Sequence, residues 1–268
     1  MTGSVRFIHK NIHVAWAVAA ATFKEWSVYR THTLVSVLVG PAYFAVQYFI
    51  WTAVYGSRPA LAGMELNQII RYFGATALIG YLTMDFADWN LSMLIRTGKF
   101  ITFSLRPVHH RFFALSQKLG HRVLGLWLEF VPCILIFHFV FGVDMRPAHV
   151  PWAVLSVMLA FLINFHFNYI LGLSAFWFVK ADGMRRVVHL LSMLFSGALI
   201  PLAFLPKVLR ITQYFLPFQY TVYVPSMVFI GDFHPSLIGY QAMAAVVTYV
   251  LSEWVYMRAM KRFCDVGA

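Results

Sequence analysis

Long apolar runs alternate with short charged stretches, and each run approaches the ~20 residues an α-helix needs to cross a ~30 Å hydrocarbon layer. The runs cover residues 34–55, 68–89, 123–143, 151–179, 187–200 and 237–257. They predict an all-α integral membrane protein of six transmembrane helices. The fifth run is cut off by Pro201 and Pro206, and Pro217 and Pro225 follow before the sixth begins. Proline breaks helical hydrogen bonding, yet this stretch stays apolar. Irregular backbone at membrane depth is tolerated only where protein or a water-filled cavity satisfies it. Residues 201–232 are therefore expected to form an outer re-entrant hairpin, with short helices over 207–215 and 220–230. Residues 1–33 mix Ile8, Val14, Val18 and Phe23 with His9, Lys10, His13, Lys24 and Glu25. They read as a cytoplasmic interfacial amphipathic helix, with Trp26 and Tyr29 at headgroup depth. A seventh short span is the alternative, although Lys24 and Glu25 would sit in it at a cost. Residues 34–268 then form the six-helix domain.

Composition narrows the class. Hydrophobic residues make up 60% of the 268 positions and Asp, Glu, Lys and Arg only 12%, against about 25% charged in ordinary soluble domains. A soluble domain of this size could not bury so much apolar surface. The formal charge of +11 invites a nucleic-acid reading until the positions are considered. With six spans, sixteen of the Lys and Arg residues fall on one side and five on the other (Arg58, Arg71, Arg146, Lys207 and Arg210). Cytoplasmic loops collect such residues, so both termini are placed in the cytoplasm. No nucleic acid is expected as a partner; membrane lipid is.

Recognisable catalytic patterns are missing. There is no GxxxxGK[ST] loop for ATP, no HExxH, no CxxC and no GxSxG. His9 and His13 have i,i+4 spacing but form a pair only, and no metal is expected. Cys133 lies in the third run and Cys264 in the tail, too far apart to pair. The N-terminus lacks a compact apolar core followed by a small-residue cleavage site.

Ionisable groups inside spans are costly and stand as functional candidates. Asp85 and Asp88 close the second run, where a salt bridge to Arg96 or Lys99 is the plain structural reading. Glu129 lies about 10 Å deeper than Arg122 by helix rise. A contact with Asn164, His166 or Asn168 of the fourth run would satisfy both sides, either as glue between helices or as a proton or substrate site. The loop after the second run carries Thr97, Gly98, Lys99, Phe100, Ile101 and Phe103. Apolar residues ringed by charge there suggest a partner surface. Alternatively they pack on the protein's own inner ends.

Three stretches resemble the ABC-2 type membrane permeases, within a poorly characterised branch of that family. Gly98-Lys99-Phe100-Ile101 through Leu105-Arg106-Pro107 is similar to the signature after the second span. Phe176-Trp177-Phe178-Val179 with Asp182-Gly183 is similar to the end of the fourth. Leu216-Pro217-Phe218, Tyr223-Val224-Pro225 and Phe229-Ile230-Gly231 resemble the stretch before the last span. The adjacent His109 and His110 depart from the pattern.

The resemblance implies an exporter subunit in the bacterial inner membrane. It implies a dimer with a second permease, the same chain or a homologue. ATP and Mg would sit on a separate ABC-type ATP-binding subunit, with no cofactor on this chain. Residues 97–107 would then be the coupling element, including Leu105, Arg106 and Pro107, and Asp182 and Arg185 a second contact. Tyr81, Leu194, Leu199 and Leu202 would line an apolar path suited to an amphiphilic or lipid-like substrate, with Asp85, Glu129, Asn164 and His166 as buried polar candidates. The rival readings are an integral-membrane enzyme acting on lipids through Glu129, His166 and the aspartates, and an assembly factor without transport.

Overall fold

A computed structural model describes residues 2–27, 30–104, 108–178, 182–213 and 216–267. It is 80% helical. Helix α1 (Thr2–Ser27) is followed by α2 (Arg30–Tyr55) and a small antiparallel hairpin, β1 (Ala60–Leu61) with β2 (Met64–Glu65). Then come α3 (Leu66–Thr83), α4 (Ala87–Arg96) and the one-turn α5 (Ile101–Ser104). Helix α6 (His110–Gly125) continues through a π-helical segment (Leu126–Phe130) into α7 (Val131–Phe139). The remaining helices are α8 (Val150–Leu173), α9 (Asp182–Phe195), α10 (Lys207–Thr212), α11 (Tyr223–Ile230) and α12 (Ser236–Gly267).

Among the described residues, three helices are long and apolar enough to cross a membrane: Val35–Tyr55, His110–Phe139 and Val150–Phe176. The other three runs take different forms. The second breaks at residues 84–86, so its helix ends at Thr83. The fifth is helical from Asp182 to Phe195, 14 residues, only ~21 Å at 1.5 Å per residue. Its helix stops before Ser196, whose carbonyl accepts the Tyr223 amide at 2.9 Å. The sixth extends well past residue 257, to Gly267. The third begins at His110 rather than 123: the stretch from Arg111 to Arg122 is helix, not loop. Short helices stand at 207–212 and 223–230, near their expected places.

Helix α3 is the centre. It is buried on most of its circumference, including Ile69, Tyr72, Phe73, Leu78 and Ile79. Helices α2, α8 and α11 pack on it. At its N-terminal end an aromatic core joins Phe44, Trp51, Phe73 and Phe137. At the far end a second core joins Leu91, Phe100, Phe165, Tyr169 and Leu173. Helix α1 lies along α6, with Thr22 buried and Trp16 and Phe23 turned outward. Tyr29 and Val179 lie outside the described residues.

Candidate functional site

The polar side chains converge on the C-terminal end of α3, where the turn of α2 just before Pro41 meets the break after Thr83. Pro41 lies inside α2 and has no N–H, so the carbonyl of Val37 loses its helical partner. The Tyr81 hydroxyl fills the gap. It lies 2.9 Å from the Val37 carbonyl and 2.8 Å from that of Ser36, and it accepts the Gly40 amide at 2.6 Å. Gly40 makes the approach possible, since a Cβ there would lie 2.5 Å from the Tyr81 ring. Tyr81 is therefore a helix-mending residue, 7% exposed and held by α2.

The break itself is capped by side chains. A helix end leaves its last carbonyls unpaired, and here α6 and α8 supply donors. Arg122 donates to the Tyr81 carbonyl, Asn164 to that of Thr83 at 2.7 Å and Asn168 to that of Asp85 at 3.5 Å. A guanidinium also suits the negative end of a helix dipole. The fully buried Asp85 carboxylate pairs with Lys118 at 3.2 Å, and Lys118 lies over the Phe86 ring. Arg96 pairs with Asp182 instead, and no ion pair between Lys99 and Asp85 is seen among the described residues. Asp88 instead takes Arg185 at 3.2 Å and His189 at 3.0 Å, both from α9.

Glu129, in the π-helical segment, accepts from the Ser36 hydroxyl at 2.6 Å. The expected contact with α8 does not form: Asn164 and Asn168 serve the α3 break, and His166 is packed between Phe165 and Tyr249. Glu129, Asp85 and Asp88 thus bond to separate partners, while His166 makes ring contacts. Among the described residues no three His, Cys, Asp or Glu side chains gather in a metal-binding group.

After α4 the chain reverses. Gly98 takes a left-handed φ of 69°, and the Phe100 amide reaches back to the Leu94 carbonyl at 3.0 Å. Phe100 is turned inward, 2% exposed, against His110, Phe176 and Phe263. Phe103 is half-buried on His110 and Phe113. The surface patch expected from these phenylalanines is thus mostly internal. What remains outside is Thr97, Gly98, Lys99, Thr102 and Ile101, the last 54% exposed. Beside it Asp182 pairs with Arg96 at 3.0 Å and with Arg185 at 3.6 Å, so the start of α9 is tied to the same face. Leu105, Arg106 and Pro107 lie outside the described residues. Leu199, half-buried, sits in the irregular segment after α9.

A third cluster fixes α12. Arg111 pairs with Glu253 at 2.7 Å, donates to Ser252 at 2.9 Å and lies over the Tyr249 ring. Burial lowers the His109 imidazole below its ordinary value; Glu253 opposes this and Arg111 adds to it. Arg111 makes the closer charge pairing with Glu253, at 2.7 Å against 3.7 Å for His109.

Ser36, Lys118, Arg122 and His189 are partners that nothing in the sequence pattern announces. The Gly40-Pro41 pair inside an apolar run is a signal that a helical carbonyl there needs another donor. A search of curated proteins finds no match. A comparison with protein-family models matches residues 42–267, described as ABC-2 family transporter protein. That match includes α3, its break, the 97–104 turn and all later helices, and the chain belongs to the ABC-2 transporter family.

Proposed function

We propose that the chain is the permease subunit of an ATP-driven exporter that moves an amphiphilic or lipid-like substrate across a bacterial inner membrane. It crosses six times with both termini in the cytoplasm, residues 201–232 forming the outer re-entrant segment. It pairs with a second permease, itself or a homologue. ATP and Mg are held by a separate ATP-binding subunit, which seats on the exposed side of the 97–104 turn and on Asp182 and Arg185. Family membership supports the transport role. The sixteen-to-five distribution of Lys and Arg supports the orientation. The exposed apolar face of α9 (Val187, Leu190, Leu191, Leu194) supports a lipid-like environment for the substrate.

One observation carries the coupling assignment. The 97–104 turn has one face exposed and the other wedged, through Phe100, among residues of α6, α12 and the end of the α8 run. It follows α4, which begins directly after the α3 break. A push on the exposed face is passed into the bundle instead of being absorbed by a floppy loop.

The test is affinity purification of the tagged chain in mild detergent, with mass spectrometry and an ATPase assay. An ATP-binding subunit should co-purify in stoichiometric amount with vanadate-sensitive hydrolysis. Ile101→Glu should reduce that co-purification while the chain stays folded. A chain that emerges alone, without hydrolysis, overturns the reading.

A further inference from the structure

At the end of the molecule opposite the 97–104 turn, the first turns of α3 and the 141–148 connection border an open cavity of about 860 Å³. Tyr48, Ile70 and Phe141 give it an apolar wall, and Arg71 and Arg146 bring two guanidinium groups to it. The Arg71 Nη2 donates to the Arg146 carbonyl at 2.8 Å, while its buried Nε has no hydrogen-bond partner among the described residues. The Arg146 side chain is 91% exposed. Asp144 is the one acid in the lining; its carboxylate accepts the Arg146 amide at 3.0 Å and lies 3.7 Å from the Arg146 Nε. Two cations thus face one anion beside an apolar wall.

Arg71 belongs to a largely buried helix in which cations are expensive. Its guanidinium is held in place by the connection, and the contacts it makes leave it incompletely neutralised. A planar, weakly hydrated guanidinium matches phosphate oxygens in pairs. An apolar wall next to such groups suits a molecule that carries a hydrocarbon chain on its anionic head. We propose that this cavity binds a phosphate-headed amphiphile, the phosphate on Arg71 and Arg146 and the chain along Tyr48, Ile70 and Phe141. The site stands on the cavity alone and does not depend on an ATP-binding subunit. Its occupant is either a phospholipid of the surrounding bilayer or an amphiphilic cargo; the recognition chemistry is the same.

The test titrates dodecyl phosphate into the purified full-length chain in dodecyl maltoside, followed by microscale thermophoresis. Dodecanol and inorganic phosphate serve as half-ligand controls. Saturable binding of dodecyl phosphate is expected, with neither control binding in the same range. R71Q should weaken it about tenfold and R146Q about three- to fivefold, as losing charge-assisted contacts does. D144N should tighten it. R146Q changes a solvent-exposed side chain and keeps the test decisive if R71Q does not fold. Equal binding of dodecanol, or unchanged affinity in R146Q, overturns the proposal. Native mass spectrometry then separates the sources. Phospholipid retained by the wild type and lost in R146Q assigns the site to the bilayer. Dodecyl phosphate binding without retained phospholipid assigns it to cargo.

Discussion

Replacing Tyr81 with Phe keeps the ring and removes one oxygen. That oxygen serves three backbone groups of α2 just before Pro41: the carbonyls of Ser36 and Val37 and the amide of Gly40. Hydrogen bonds between transmembrane helices average about 0.6 kcal/mol and reach about 1.7 kcal/mol. Three groups losing their partner therefore cost about 2 kcal/mol, and no more than about 5 kcal/mol. The Val37 carbonyl is orphaned only because residue 41 is proline. In a Pro41→Ala background the helix supplies its own N–H, so Y81F should cost about 1 kcal/mol or less. The pair forms a double-mutant cycle. It is read by unfolding in mixed micelles of dodecyl maltoside and dodecyl sulfate, followed by tryptophan fluorescence. The reasoning fails if Y81F costs the same in both backgrounds, because the phenol would then not be answering the proline.

Lys118→Met leaves the fully buried Asp85 carboxylate unpaired and should cost about 3–5 kcal/mol; D85N with K118M should regain most of it, and a double variant as unstable as the single would contradict the pairing. Phe100→Ala empties a fully packed site and should lose about 3–5 kcal/mol, whereas I101A should stay within about 0.5 kcal/mol; thermal unfolding of the two variants separates them. Gly120→Leu places a side chain against the backbone of Ala19 and should loosen α1 from α6, seen as faster hydrogen exchange across α1 with α8 unchanged. Asn164→Leu strips the donor from the Thr83 carbonyl and should cost about 1–3 kcal/mol in the micelle assay.

The helical class and the two long helices at 35–55 and 150–176 were legible because uninterrupted apolar runs have few alternatives. So were the short helices at 207–212 and 223–230, since prolines mark where a helix begins. The α3 break was not legible. Residues 84–86 are Met, Asp and Phe, with no proline or glycine to announce it, and the carbonyls released there are satisfied by Arg122, Asn164 and Asn168 from distant sequence. The Arg111–Arg122 stretch reads as a loop because its charges resemble a solvated segment. Lys118 and Arg122 are instead buried, one against Asp85 and one against the end of α3. The partners of Asp85, Asp88 and Glu129 depend on which helices sit side by side, and sequence distance carries no information about that. Phe100 and Phe103 resemble a surface patch in sequence because their neighbours are charged; after the left-handed Gly98, Phe100 is buried and Phe103 half-buried.

The unbroken helix from His110 to Phe139 has a mechanical consequence. Its 30 residues make a rod of ~45 Å. One end, at His110, touches Phe100 of the turn, and the other ends two residues before Phe141 in the cavity wall. The part of the rod beyond Lys118 and Arg122 is ~26–32 Å long, so tilting it by roughly 5° about that point carries the far end about 2–3 Å. Its fulcrum lies where Lys118 and Arg122 grip the end of α3. The two ends of this molecule are therefore not free to move separately: geometry alone makes a small rotation at the turn a displacement at the cavity mouth.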